Sequence, residues 1–155
     1  PPPPPPFSSR RRHTRSYLKS RGLGDVYKRQ FQLCLQGAPL LGVGYNRYFK
    51  SGNEMLLDAG AFIRAVEFAA GVEAVIVGKP SAEFFRQVMA STSAAPQRSL
   101  MVGDDVFGDV EGAINAGIPA CLVRTGKYRK GDEDKVAGEF AVVDSIVQAV
   151  EMVLA

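Results

Sequence analysis

Three charged side chains come just after short apolar runs of the sequence, and a fourth follows a few residues later. Lys79 follows one such run, and Asp104 and Asp105 follow the next along the chain. Asp109 comes five positions after Asp104, which is far enough to cross a loop and turn back to the same place. In open parallel sheets, ligands bind beyond the carboxyl ends of the strands. We therefore expect these four side chains to share one site.

Three carboxylates and one lysine at a sheet edge predict a site for a divalent cation and a phosphoryl group. Mg²⁺ takes oxygen ligands and uses one or two protein carboxylates plus water and phosphate, and a lysine ammonium is a compact positive charge suited to phosphate. Considered one at a time, these residues also fit a simpler interpretation, in which Asp105 or Asp109 caps a helix and Lys79 is solvated. Their combination at strand ends favours the site. Arg124 and Lys127 either contribute to phosphate binding or form a solvated loop, and the sequence leaves both interpretations open.

The elements that position these residues repeat one plan: a short apolar run, a polar or glycine-containing loop, and a helix. This plan is typical of a buried parallel sheet with crossover helices. Residues 45–53 are predicted to form a polar, aromatic loop. The sequence thus predicts an α/β domain with about four parallel strands. The apolar runs are residues 40–43, 74–77, 100–102, 120–123 and 140–143, and the predicted helices are residues 61–70, 81–91, 107–116 and 145–154, the last capped by Asp144.

Composition sets the class of protein. The 155 residues are 46% hydrophobic and 23% charged, which suits one globular domain. No run of about 18 apolar residues occurs, and the N-terminus lacks the apolar stretch of a secretory signal, so we expect a cytoplasmic protein with no membrane partner. Cys34 and Cys121 are the only cysteines and form no metal-binding pattern. We expect two buried free thiols.

Residues 1–30 differ from the rest of the chain. They carry a formal charge of +7, whereas residues 31–155 carry −4. They show neither helical nor strand periodicity, so no packed element is expected there. A basic arm for nucleic acid and an organelle-targeting peptide are two interpretations. We favour a third, because residues 10–15 and 20–30 resemble standard-code translations of sequencing adapters, which makes this leader non-native or disordered.

Two motifs of the later sequence resemble those of the haloacid dehalogenase (HAD) superfamily of hydrolases. Residues 77–81 (VGKPS) resemble its lysine motif, and residues 101–110 (MVGDDVFGDV) resemble its acidic motif GDxxxxD. The strings at residues 46–50, 57–60 and 123–129 narrow the resemblance to class IIA. It covers nearly all of residues 31–155. The fold it implies is a Rossmann-like HAD core with a parallel sheet, preceded by the last part of a class IIA cap.

The resemblance implies a phosphatase that uses Mg²⁺ and transfers a phosphoryl group to an aspartate nucleophile before hydrolysis. Asp104 would be the metal ligand, with Asp109 and Asp105 as carboxylates in or beside its ligand set. Lys79 would be the catalytic cation that binds phosphate and neutralises its charge. The implied substrate is a small phosphorylated compound or pyrophosphate. The parent protein is expected to be a homodimer through its cap.

Half of the family's catalytic apparatus has no counterpart here. Its nucleophile lies in a DxD motif at the start of the domain, and no such motif precedes Lys79. We therefore expect a fragment without a nucleophile, inactive by itself, with an incomplete sheet whose open edge invites aggregation. Residues 1–30 would be the leader, residues 31–71 the end of the cap and the return to the core, and residues 72–155 the second half of the core.

Three other functions compete with this interpretation. A response-regulator receiver also gathers acidic residues and a lysine around Mg²⁺, but there the acidic pair comes first, whereas Lys79 precedes Asp104. Nucleic-acid binding through the leader would require salt-dependent binding that disappears when residues 1–30 are removed, and we expect no nucleic-acid partner. A non-catalytic interaction module with the same fold is the remaining alternative.

Overall fold

The computed structural model describes residues 23–155, which fall into two compact units divided between Ala38 and Pro39. The described part of the first unit is helix α1 (Leu23–Leu35), which continues as a hydrogen-bonded turn to Gly37 at φ 89°. Residues 23–30 were expected to lack regular structure, and the structure corrects this. The segment contains no proline, and Lys28 lies 3.8 Å from Asp25 one turn earlier, a spacing that suits a helix. The proline and arginine runs of the leader lie outside the described residues.

The second unit begins with strand β1 (Leu41–Gly42), followed by an antiparallel hairpin. Its strands are β2 (Tyr48–Ser51) and β3 (Glu54–Leu57), with Ser51 paired to Glu54 across a two-residue turn. Gly52 in that turn has φ 58°, which glycine adopts at little cost. The prediction of a loop over residues 45–53 is therefore wrong for the last part of that range, because the hairpin turn pairs its backbone.

Helix α2 (Ala59–Ala70) follows the hairpin. Asp58 accepts a hydrogen bond from the Ala59 N–H, and the helix ends at Gly71, whose φ of 66° and hydrogen bond to the Glu67 carbonyl form a left-handed cap. The glycine stop predicted from the sequence is confirmed. Strand β4 (Val75–Ile76) then pairs in parallel with β1.

The remaining strands form a second parallel sheet. They are β5 (Met101–Gly103), β6 (Ala120–Val123) and β7 (Ala141–Val143), in the order β5-β6-β7. The α/β class with parallel strands is confirmed, but within residues 23–155 strands β4 and β5 do not pair, so the predicted single sheet is in two pieces. An apolar groove of about 460 Å³ lies beside β5, lined by residues that include Phe84, Phe85, Val88, Met89, Leu100 and Met101.

Helices cover the second sheet. Helix α3 (Ala82–Thr92) precedes β5, and six residues of π-helix (Val106–Glu111) lead from β5 into the short helix α4 (Gly112–Asn115). The prediction of one α-helix over residues 107–116 is thus corrected, because the Val110 N–H reaches back five residues to the Asp105 carbonyl at 3.3 Å.

Helix α5 (Ile146–Leu154) closes the chain. Its N-cap is Ser145, whose hydroxyl accepts from the Gln148 N–H at 3.4 Å, and not Asp144 as predicted. The side chain of Asp144 is engaged elsewhere, at 3.1 Å from Arg124. The backbone N–H of Asp144 donates to the Gln148 side-chain oxygen at 2.7 Å, so Asp144 contacts the first turn of the helix through its backbone.

Strand β6 alternates between two apolar clusters, as a strand with a period of two requires. Leu122 packs in the larger cluster and Cys121 in the smaller one, and both side chains are fully buried. Both cysteines are free and buried, as predicted. Burial raises the pKa of the Cys121 thiol, which suits a packing role. The larger cluster comprises Phe85, Val106, Val110, Ala113, Ile118, Ala120, Leu122 and Val136.

We expect Leu122→Ala to lower the free energy of unfolding by about 3 kcal/mol, because a fully buried leucine leaves a cavity in the central strand. Urea denaturation followed by circular dichroism measures the change. The matched control is Leu57→Ala in β3, where the side chain is 65% exposed and the same truncation removes little packing. Equal losses in the two variants would contradict this assignment of the core.

Candidate active site

The four residues singled out in the sequence lie together in the structure. Lys79 follows β4, Asp104 and Asp105 follow β5, and Asp109 lies in the π-helix. The Lys79 ammonium is 2.6 Å from Asp109 Oδ1, and the Asp105 N–H donates to Asp109 Oδ2 at 3.1 Å. The Asp109 side chain is only 5% exposed. Both of its oxygens are therefore engaged within the protein.

Asp104 is held differently. Its Oδ2 accepts the backbone N–H of Lys127 at 2.7 Å, and its other oxygen accepts no hydrogen bond from residues 23–155. Gly126 makes this approach feasible, because its φ is 55° and a Cβ there would collide with the Asp104 carboxylate. Asp104 therefore has one oxygen fixed and one available to a ligand.

Asp105 has a structural role that the sequence also allowed. Its Oδ1 accepts the Phe107 N–H at 3.1 Å and caps the first turn of the π-helix. Its Oδ2 forms an ion pair with the Lys127 ammonium. The helix-cap interpretation is confirmed for Asp105, and the same residue lies beside the Lys127 ammonium.

The structure separates the two cations whose roles the sequence left open. Lys127 lies among the acidic residues, whereas Arg124 pairs with Asp144 at 3.1 Å and with Glu133 at 3.7 Å. The Arg124 side chain is 43% exposed. Of the two, only Lys127 contacts the acidic motif.

A small cavity of about 40 Å³ adjoins these residues, and part of its wall comes from residues 45–48, which do not follow a predicted strand directly. The Arg47 guanidinium lies 4.5 Å from the centre of the Phe107 ring, and the Lys127 ammonium lies 5.4 Å from that of Tyr48. The sequence signal for the first of these residues is the polar, aromatic string at residues 46–50, which runs into strand β2. The cavity is lined by Tyr45, Asn46, Arg47, Tyr48, Pro80, Asp105, Phe107, Gly108 and Lys127.

A second polar network, centred on Glu67, restrains the loop that contains Lys79. The buried Glu67 carboxylate accepts hydrogen bonds from the Tyr45 hydroxyl and from the Ala74 N–H at 2.8 Å, and Arg64 lies 3.4 Å away. The Tyr45 N–H in turn donates to the Lys79 carbonyl at 3.0 Å. Burial raises the pKa of Glu67, but the hydrogen bonds from these three groups outweigh it and leave that pKa below its usual value.

The sequence contains one Asp-x-Asp triplet, Asp132–Asp134, after the acidic motif. Asp132 is buried, accepts the Arg129 N–H at 2.7 Å and lies 2.6 Å from the Lys135 ammonium. Glu133, between the two aspartates, accepts from the Tyr128 hydroxyl at 2.9 Å. The triplet thus stabilises a turn of 3₁₀ helix at residues 133–135, and Asp132 is not a free nucleophile.

The donor set can be compared with what a metal ion requires. Within residues 23–155, no group of three or more His, Cys, Asp or Glu side chains is arranged to hold a metal ion. Mg²⁺ does not require such a group, since it keeps several waters and uses one or two carboxylates. The available oxygen of Asp104 fits one position in such a ligand set.

Among the helices within residues 23–155, none combines the length and the apolar composition that a membrane span requires.

Comparisons with known proteins show which proteins this fold and site resemble. The HAD-hydrolase-like family model matches residues 76–149, which include the lysine and the three aspartates. Over about 130 residues the chain is also similar to curated proteins that carry the names of HAD-like hydrolases and phosphatases.

Two curated relatives show how much of a family member the chain represents. It is 39% identical over 131 residues to the haloacid dehalogenase-like hydrolase domain-containing protein 2 of Bos taurus, covering 84% of this chain and 51% of that protein. It is 41% identical over 130 residues to the phospholysine phosphohistidine inorganic pyrophosphate phosphatase of Rattus norvegicus, covering 81% and 48%. The chain therefore spans about half the length of these relatives.

Solved structures support the fold. A p-nitrophenyl phosphatase from Archaeoglobus fulgidus superposes with a TM-score of 0.71 at 23% identity, covering 86% of this chain and 54% of that one. The 4-nitrophenylphosphatase of Thermotoga maritima gives 0.72 at 24% identity, covering 86% and 51%. The partial coverage agrees with the expectation of an incomplete Rossmann-like core.

We expect Glu67→Gln to destabilise the protein by about 2 kcal/mol at pH 7, because it weakens hydrogen bonds to a charged acceptor. Since the pKa of Glu67 is lower in the folded state, its ionisation contributes stability above the unfolded pKa. That contribution disappears as the pH falls through the folded pKa, so the difference between parent and variant should shrink on acidification. Urea titrations between pH 7 and pH 3 measure it. Glu151→Gln, at an exposed position of α5, is the control, and a difference independent of pH would contradict the prediction.

Proposed function

We propose that the chain represents the second half of a cytoplasmic, class IIA, Mg²⁺-dependent phosphatase. The proposed substrate is a small phosphorylated compound or pyrophosphate, with neither nucleic acid nor a membrane as a partner. The observation that carries the proposal is the free oxygen of Asp104 after β5, beside the ion pair of Lys79 with Asp109 and the carboxylate of Asp105. The substrate class is supported by the relatives' names, one of which is an inorganic pyrophosphate phosphatase.

Each residue has a distinct proposed role. Asp104 holds the metal ion through its available oxygen, while Asp109 stays close as a carboxylate paired with Lys79. Mg²⁺, when bound, supplies positive charge to a phosphoryl group in transfer. Lys79 adds a second positive charge, and its side chain is 36% exposed, so a phosphate can reach it. Asp105 completes the group as the carboxylate beside the site.

The division of the chain follows from the same proposal. Residues 31–71 form the end of the cap and its return to the core, residues 72–155 form the second half of the core, and residues 1–30 are a non-native leader. The parent protein forms a homodimer through its complete cap. The nucleophile lies in the half of the family fold that this chain does not span, so we propose that the 155-residue chain is inactive alone.

We expect the chain to bind Mn²⁺, used as a paramagnetic substitute for Mg²⁺, and Asp104→Ala to weaken binding at least about tenfold, because one carboxylate ligand is worth roughly 1.4 kcal/mol or more. Electron paramagnetic resonance of free Mn²⁺ measures the affinity. Asp134→Ala is the matched control, since Asp134 is an exposed aspartate outside the site. Equal affinities of the two variants would remove Asp104 from the metal site.

We also expect no Mg²⁺-dependent phosphate release by the purified chain from p-nitrophenyl phosphate or pyrophosphate, because it supplies no free carboxylate nucleophile at the site. A phosphate assay with and without Mg²⁺ tests this. Turnover that Asp104→Ala abolishes and Asp134→Ala preserves would show that the chain does contain a nucleophile, and the proposed division of the catalytic apparatus would fail.

A further inference from the structure

We propose that Lys127 is a positioning residue of the candidate active site, which fixes the Asp104–Asp105 turn and the start of the hairpin against each other. Nothing in the strand-end pattern assigns it this role. The proposal deepens the proposed function, since it concerns the same site, but the contacts that carry it involve no metal ion.

Lys127 makes three polar contacts with two other segments of the chain. Its backbone N–H donates to Asp104 Oδ2 at 2.7 Å, and its ammonium forms an ion pair with Asp105 Oδ2. The same ammonium donates to the carbonyl of Tyr48, the first residue of β2, at 3.1 Å. One residue thereby links the loop after β6, the turn after β5 and the hairpin.

The burial of this ion pair makes it significant. The side chains of Lys127 and Asp105 are 12% and 13% exposed, so solvent screens their attraction weakly. Loss of either partner would leave the other charge largely buried and unpaired, which is strongly unfavourable. The exposed pair of Arg124 with Asp144 on the same loop has no such constraint, because water screens both groups.

The ring of Tyr48 adds a second restraint on the same segment. It lies 5.4 Å from the Lys127 ammonium and 5.1 Å from the Arg129 guanidinium. Cations at these distances are attracted to an aromatic ring. Lys127 therefore contacts both the carbonyl and the ring of Tyr48. Because Tyr48 lines the small cavity, these contacts fix part of the cavity wall.

As a consequence, the two neighbouring aspartates differ in how many of their oxygens have partners within the protein. Both oxygens of Asp105 already have partners, Oδ1 the Phe107 N–H and Oδ2 the Lys127 ammonium. Asp104 is restrained at one oxygen only. Lys127 thus holds Asp105 away from a ligand and presents Asp104 to it.

Nuclear magnetic resonance of the chain labelled with ¹⁵N-lysine tests the proposal. A buried, hydrogen-bonded ammonium exchanges its protons slowly, so we expect one protected ammonium signal that Lys127→Arg removes and Lys130→Arg leaves. Asp105→Asn should speed proton exchange of that ammonium by about tenfold or more, because its charged acceptor is lost. No protected signal assignable to Lys127 would overturn the proposal.

Amide hydrogen exchange tests the positioning itself. Lys127→Met should speed exchange at residues 46–50 about tenfold or more, since local opening becomes easier. Lys127→Arg, which keeps the charge, should restore protection to within about threefold, and Lys130→Met, at an exposed lysine of the same loop, should change nothing. Unchanged exchange in Lys127→Met would overturn the proposal. If that variant does not fold, the ammonium measurement on the parent chain decides.

Failure of this proposal differs from failure of the proposed function. A protected Lys127 ammonium in a chain that binds no Mn²⁺ keeps the positioning role and removes the metal site. Binding of Mn²⁺ through Asp104 without a protected ammonium does the reverse.

Discussion

The arrangement of the site depends on one buried carboxylate, Asp109. Its side chain is almost fully enclosed, and an isolated charge there would cost several kcal/mol. The Lys79 ammonium donates to one of its oxygens and the Asp105 N–H donates to the other. Strands β4 and β5 do not pair, so this ion pair joins the loop after one sheet to the helix after the other. Gly103 permits it, because a Cβ there would collide with the Asp109 side chain.

Charge at the site is nearly but not fully balanced within the chain. Lys79 pairs with Asp109 and Lys127 pairs with Asp105, which leaves Asp104 with only a backbone donor. A carboxylate with one unsatisfied oxygen remains stable only where water or a cation reaches it. The apolar cluster beneath β6 and the two ion pairs hold the surrounding loops in place. Asp104, the one carboxylate of the three without a cationic partner among the described residues, therefore has a fixed position. This is the physical basis for proposing a metal ion there.

The sequence predicted the parts of the fold that depend on local chemistry. The glycine that ends α2, the apolar runs of β4 to β7, the buried thiols and the residues after β4 and β5 follow from periodicity and turn residues. The π-helix over Val106–Glu111 did not, because an apolar period near 3.6 predicts an ordinary α-helix and the wider turn comes from the Asp105 carbonyl accepting two N–H groups. Helix α1 was missed because residues 23–30 were set aside with the leader.

The contrast between local sequence patterns and contacts formed only in the folded chain also explains which residues of the candidate site could be predicted. Lys79, Asp104 and Asp105 follow apolar runs and Asp109 comes a few residues later, so the expectation of one shared sheet edge predicted their proximity. Lys127 also follows a strand, but its loop contains Arg124 as well, and only the three-dimensional path separates an exposed ion pair from a buried one. Tyr48 belongs to a hairpin and reaches the site through a contact 79 residues distant in sequence. Such a contact leaves no periodic pattern, so it could not have been predicted from the residue types.

The open edge of β5 connects the fold to the function. Val102 and Met101 pair with β6, and Met101 also lines the apolar groove to which Lys79 contributes. A parallel sheet buried on both faces normally extends beyond such a strand, and the chain spans about half of its relatives. The groove therefore has the composition of an interior surface rather than of a finished exterior. Because Lys79 lines that groove and also pairs with Asp109, a further strand packed in the groove would lie close to the Lys79–Asp109 ion pair.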